Sequence, residues 1–118
     1  YTDKEIAKGQ KFNDYLGVNY YQNMCLGIRI KNKKLVFTRE IYPDLLTDMG
    51  FSIYAEGLYR ALKVGKQLNL RMIITENGCA DHLDKGGLRS KWIKRHLYAV
   101  SEFLREEKEK KKRKNTCK

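Results

Sequence analysis

The run LRMIITENG, residues 70–78, limits the fold more than any other stretch of the chain. Four of its first five residues are apolar and do not alternate with polar ones. A strand with this pattern is expected to be buried on both faces, as strands of parallel sheets are. It ends on Glu76, a carboxylate that costs free energy at the end of an apolar strand unless it is paired or used. It then breaks at Asn77-Gly78, a turn signal.

A parallel strand cannot be joined to its neighbour by a tight turn. It needs a crossover of a dozen or more residues, usually containing a helix. The preceding sequence offers both parts. DYLGVNYYQ, residues 14–22, is rich in aromatic and branched residues and reads as a strand, with Gly17 marking close backbone approach. IYAEGLYRALKVGKQ, residues 53–67, reads as a helix with Leu58, Leu62 and Gly65 on one face and Ala55 and Tyr59 beside them. Its internal Gly57 and Gly65 point to tight packing.

Between these two lie CLGIRI and KLVFTRE, which KNK separates. They predict a small hairpin over residues 26–38. YPDLLTDMGFS, with the single proline Pro43, reads as a loop, and so does NGCADHLDKGG after the second strand. LRSKWIKRHLYAVSEFLREE is the clearest helix, with Ser90 as its expected N-cap. It carries two apolar rows, Ile93-Leu97-Val100-Leu104 and Trp92-His96-Ala99-Phe103. The order strand, hairpin, helix, strand, helix is a β-α-β-α unit, which implies parallel pairing and a right-handed crossover. Two parallel strands with open edges and faces do not stand alone. The sequence therefore reads as a slice of a larger α/β sheet or barrel.

With 118 residues, 42% of them hydrophobic, one small domain with a core is expected. The net charge of +11 would ordinarily indicate an anionic partner. Its placement weakens that inference, because residues 105–118 hold eight Lys or Arg against three Glu. Two segments are expected, a partial barrel over residues 1–104 and a lysine-rich tail over residues 105–118. Cys25, Cys79 and Cys117 are scattered, odd in number and without a C-x-x-C pair. That argues against a disulfide scaffold or thiolate zinc site and for a reducing compartment, here the cytoplasm. No apolar run is long enough to span a bilayer and no signal peptide is visible. A chain that begins at Tyr1 is expected to be a processed or truncated product.

Asn19 and Tyr21 fall at the same end of the first strand as Glu76 does of the second. A phenol beside a carboxylate holds it in one orientation and stabilises its charged form. An oriented, ionised carboxylate is suited to attack an electrophilic sugar carbon. Taken alone, Glu76 would more often be a capping or salt-bridged group, but further motifs bear on it. ITENG resembles the nucleophile motif of glycoside hydrolase family 1, the retaining β-glycosidases. DYLGVNYY is similar to that family's sixth barrel strand, and DMGFSIYAEGLYRAL to the segment leading into its sixth helix. DKGGLRSKWIKRHLYAV is similar to the stretch after the nucleophile. All four stand in family order over about residues 12 to 104.

That resemblance implies a (β/α)8 TIM barrel of which this chain supplies strands six and seven with their helices, plus the small hairpin. It implies Glu76 as catalytic nucleophile, Tyr21 as the residue that orients it, and Asn19 in the glycone pocket. Asn77 and Gly78 would shape the turn after the strand. Ala55 stands where the family usually has Pro, and Phe51 where Trp is common. The family's general acid/base lies in an Asn-Glu-Pro motif on strand four, and no such motif occurs here. Its eighth strand would follow the last helix, where the lysine-rich tail stands instead.

The function implied is that of a fragment of a retaining β-glycosidase, β-glucosidase-like, acting through a covalent glycosyl-enzyme intermediate and inactive by itself. The substrate would be a β-glycoside or oligosaccharide in the complete barrel. No cofactor and no metal are implied, since two carboxylates suffice for this chemistry. No membrane and no nucleic-acid partner are expected, while exposed edges invite self-association. The alternative is a non-catalytic relic whose basic tail engages an anionic partner. Other residues carry plainer expectations. His96 and Trp92 pack, Cys79 is a small buried hydrophobe without a base, and residues 81–84 form a solvated loop.

Overall fold

The computed structural model describes residues 2–10, 12–40, 46–83 and 87–116. Pro43, Asp84, Cys117 and the side chain of Cys25 lie outside the described residues, as do parts of the two expected loops. The chain runs α1 (Asp3–Gln10), β1 (Tyr15–Tyr20), β2 (Cys25–Lys31), β3 (Lys34–Glu40), α2 (Ala55–Lys66), β4 (Arg71–Asn77) and α3 (Leu88–Thr116).

β1 and β4 pair in parallel, from Tyr15 opposite Arg71 to Tyr20 opposite Asn77. α2 packs on both strands and on α3. One layer of two parallel strands thus carries one layer of two helices. The core between them is Leu58, Leu62 and Phe103, with Val18, Tyr20, Met72, Ile74 and Val100 packed around it. Leu58 is fully buried. Burial of a leucine side chain stabilises by about 1.5–3 kcal/mol.

The expected α2 face is the buried one: Ala55, Leu58, Leu62 and Gly65. Its glycines are there for space. A Cβ on Gly57 would collide with the Tyr20 hydroxyl, and one on Gly65 would lie 2.9 Å from Leu16 Cδ2 and 3.0 Å from Met72 Sδ.

Three expectations are corrected. β4 is not buried on both faces: Met72 and Ile74 are half-buried toward the helices, whereas Ile73 and Thr75 are exposed. The described chain puts a helix layer on one side of the sheet only. Of the two rows on α3, Trp92, His96, Ala99 and Phe103 are buried, while Ile93, Leu97 and Leu104 stay exposed. Ser90 is inside α3 rather than capping it, because the first helical hydrogen bond already runs from Lys91 N–H to the Gly87 carbonyl. Gly87, at φ +69, turns the chain into the helix. α1 was not anticipated. It is started by a capping box in which Glu5 N–H donates to Thr2 Oγ1 at 3.4 Å and Thr2 N–H donates to Glu5 Oε2 at 2.8 Å.

α3 continues through the lysine-rich segment as one 29-residue helix. Ion pairs one turn apart accompany it, Arg105 to Glu102 and Glu109 and Lys110 to Glu107. The hairpin β2–β3 forms as expected, around Asn32 and Lys33 at φ 51 and 61. Positive φ at both central residues is the turn that matches strand twist in a tight hairpin. Among the described residues, neither the hairpin nor α1 packs on another element. No helix among the described residues is long and apolar enough to cross a membrane.

Candidate active site

Side chains alternate along a strand, so on β1 Leu16, Val18 and Tyr20 turn toward the helices and Tyr15, Gly17 and Asn19 away. On β4 Met72 and Ile74 turn toward the helices, and unbroken alternation would send Glu76 after them into the core. The register prevents this. Val18 pairs with Ile74, but Asn19 pairs with Glu76. Thr75 is the extra residue of a β-bulge, a device that re-aims side chains.

The hydrogen bonds report the result. The Thr75 hydroxyl donates to Asn19 Oδ1 at 2.5 Å, and the Tyr21 hydroxyl donates to Glu76 Oε2 at 2.8 Å. Two consecutive residues of β4 therefore engage the side of β1 turned away from the helices. Asn77 closes the end of the pair by donating from Nδ2 to the Tyr20 carbonyl at 2.6 Å. The sheet thus brings Asn19, Tyr21 and Glu76 to its C-terminal end, where they are exposed.

The phenol of Tyr21 is held above its usual value, chiefly by donating to Glu76. It is a donor until pH rises through that elevated value, and its hydrogen bond fixes one carboxylate oxygen of Glu76. Tyr20, one residue earlier, serves the packing instead. It donates to the Tyr54 carbonyl at 2.6 Å, and burial pushes its pKa up to about 12.

Other residues singled out in the sequence take structural roles. His96 is 2% exposed, stacks on Trp92 at 3.5 Å and 13°, and donates from Nδ1 to the Trp92 carbonyl at 2.8 Å. Burial lowers its pKa. Cys79 is half-buried rather than buried. His82 donates from its backbone N–H to Asp48 Oδ2, and its ring Nδ1 lies 2.7 Å from the same oxygen, tying the loop after β4 to the one before α2. Gly78 has no positive φ and a Cβ there would meet open space, so nothing in the backbone requires a glycine at that position. Sequence reasoning missed Thr75. Its signal was present, because Met72, Ile74 and Glu76 share one parity, and a carboxylate at a core parity calls for a register break.

No family model matches the chain. Over 92 residues it is 33% identical to the chloroplastic beta-glucosidase-like SFR2 of Oryza sativa subsp. japonica. It is 35% identical over the same length to the chloroplastic galactolipid galactosyltransferase SFR2 of Arabidopsis thaliana. Each match covers 74% of this chain and 13% of the relative, so the chain spans about an eighth of the length of these curated relatives. Among solved structures it is similar to the beta-glycosidase from Pyrococcus horikoshii, with TM-score 0.62 and 32% identity over 79% of this chain and 22% of that one. A family 1 β-glucosidase from Thermotoga maritima gives TM-score 0.59 and 27% identity, covering 79% and 22%. The residues and the backbone agree on a glycoside hydrolase-like part of an α/β barrel.

Proposed function

From a chain that is a family 1 β-glycosidase-like partial α/β unit, we propose that Glu76 is the nucleophile of a retaining glycoside-processing site. In this reading β1 and β4 are the sixth and seventh strands of a (β/α)8 barrel. The observation that carries it is the 2.8 Å hydrogen bond from Tyr21 to Glu76 at the C-terminal end of parallel strands, the end at which barrel enzymes place their chemistry. Asn19, opposite Glu76, lines the sugar pocket.

Glu76 attacks the anomeric carbon as the bond to the leaving oxygen breaks, and that oxygen takes a proton from an acid elsewhere in the complete protein. A hydroxyl then attacks the glycosyl-enzyme, loses its proton to the same group now acting as base, and releases Glu76. Water as acceptor gives hydrolysis, and a sugar hydroxyl gives transfer. The two relatives' names, β-glucosidase-like and galactosyltransferase, both fit this shared first step. The substrate class is a β-glycoside, and the chain alone does not turn over, because a retaining site needs a second carboxyl about 5 Å from the first. The scattered cysteines remain the ground for a cytoplasmic location, although both relatives are described as chloroplastic.

The test joins the chain to the remaining barrel of a relative and adds a fluoro-sugar with a dinitrophenolate leaving group, which departs without acid assistance. A sugar adduct on the Glu76 peptide, absent in Glu76→Gln, is expected. An adduct on another carboxylate, or hydrolysis that survives Glu76→Gln, would sink the proposal.

A second reading has its own observation. Lys108, Lys111, Lys112, Arg113 and Lys114 stand exposed on α3 without an ion pair among the described residues. They suit an anionic partner. Binding that falls steeply with salt and disappears when these lysines become glutamines supports this reading, and no binding at low salt ends it.

A further inference from the structure

Thr75 is the residue by which β4 exceeds β1 in count, and its side chain touches β1 at two places. A Cβ on Gly17 would stand 3.3 Å from Thr75 Oγ1 and 3.4 Å from its Cγ2, tighter than ordinary packing. The missing side chain of Gly17 therefore gives Thr75 its seat. Two residues on, the Thr75 hydroxyl donates to Asn19 Oδ1 at 2.5 Å. A β-branched side chain is stiff about χ1, so this direction is held.

We propose that Thr75 is a positioning residue that locks the Asn19 carboxamide with its oxygen engaged and its Nδ2 donors left for a ligand. The proposal rests on the reading of this sheet end as a glycoside site and adds what fixes the orientation of its amide. With its oxygen occupied, Asn19 offers only N–H donors. Glu76, opposite it, offers only acceptor oxygens when ionised. A hydroxyl has the chemistry for both, able to accept from Asn19 and to donate to Glu76. An ether or carbonyl oxygen leaves Glu76 unserved, and an anionic group is repelled by it.

The test follows the Asn19 side-chain carboxamide by NMR in the full chain, assigned through its loss in Asn19→Asp. Thr75→Val keeps the shape and removes the hydroxyl. It is expected to move the Asn19 Cγ resonance upfield, as a carbonyl does when it loses a donor, and Thr75→Ser is expected to restore it. Gly17→Ala, which crowds Thr75 but keeps its hydroxyl, is expected to disturb the same resonance.

An unmoved Cγ in Thr75→Val overturns the proposal. So does failure of Thr75→Ser to restore it, or a change confined to the Nδ2 protons, which would mean the carboxamide faces the other way. Backbone amides of β1 and β4 in the same spectra separate a local change from unfolding. If Thr75→Val does not fold, an unmoved Asn19 Cγ in Gly17→Ala overturns it equally. No catalysis enters this readout. Lost trapping at Glu76 with the Asn19 response intact removes the nucleophile reading alone, and the reverse removes the positioning role alone.

Discussion

Asn19 stands opposite Glu76 across the β1–β4 pair, one residue beyond where unbroken pairing would bring it. That single slip takes the carboxylate away from a core of Leu58, Leu62 and Phe103 and turns it to the phenol of Tyr21. A charge that would be costly to bury becomes an exposed and oriented one.

The Tyr21–Glu76 contact has a readable titration. Tyr21 holds its proton above the ordinary phenol value of 10.0 because it donates to Glu76. The raised pKa favours the protonated phenol in the folded chain. Its contribution is complete below that ordinary value and is lost as pH rises through the elevated one. In ultraviolet titrations, Glu76→Gln is expected to lower the Tyr21 midpoint, identified by its absence in Tyr21→Phe. A midpoint that Glu76→Gln leaves in place would show that the contact does not persist in solution.

Gly57 is expected to resist replacement. Alanine would add about 1 kcal/mol of helix propensity. Its Cβ would displace the Tyr20 hydroxyl from the Tyr54 carbonyl, losing about 1 kcal/mol of hydrogen bond and adding about 1–3 kcal/mol of crowding. Gly57→Ala should therefore lower stability by about 1–3 kcal/mol in urea unfolding, whereas Gly78→Ala should change it by less than about 0.5 kcal/mol. Equal effects would mean that the Tyr20–α2 contact is not formed.

Acid should loosen the core through His96. Burial favours its neutral form, so the unfolded chain binds the proton more readily. Stability is then complete above the ordinary histidine value of 6.5 and falls as pH drops through that value toward the lower folded one. Trp92 stacks on the ring, Tyr20 lies 5.9 Å away, and the hydrogen bond to the Trp92 carbonyl and then the charge of Glu56 partly oppose the shift. His96→Phe keeps a ring on Trp92 and is expected to flatten this part of the stability-versus-pH curve. An unchanged slope would place the acid response elsewhere.

Self-association is expected from the open face and edges. Ile73 on β4 and Ile93, Leu97 and Leu104 on α3 are all exposed, and among the described residues each strand of the parallel pair has one unpaired edge. Sedimentation of the isolated chain should depend on its concentration, and Leu97→Lys should move it toward monomer. A monomer over the whole measurable range would contradict this.

The order of elements was legible because hydrophobic runs and helical spacing are local properties. So was the α2 face, since Leu58, Leu62 and Gly65 repeat at helical spacing whatever surrounds them. The fate of β4's second face was not, because burial there depends on what lies across the sheet. The α3 rows failed for the same reason: both Ile93-Leu97 and Trp92-His96 are apolar, and only the docking of α2 selects between them. The capping box at Thr2 and Glu5 was present in the sequence and passed over. The bulge at Thr75 is a relation between two strands, and neither strand shows it alone.

The hydrogen bonds that assemble the site span 55 and 56 residues of chain. The hairpin and the helices join residues much nearer in sequence, and closing a long loop costs entropy before any contact repays it. Local pieces are therefore ready first and the parallel pair last. Pulsed amide exchange during refolding should show β2 and β3 protected before β4, and simultaneous protection would contradict that order. The slip at Thr75 is then the final adjustment of the refolding chain. A molecule halted just before it would possess its helices and its hairpin, but Glu76 would have no phenol to face.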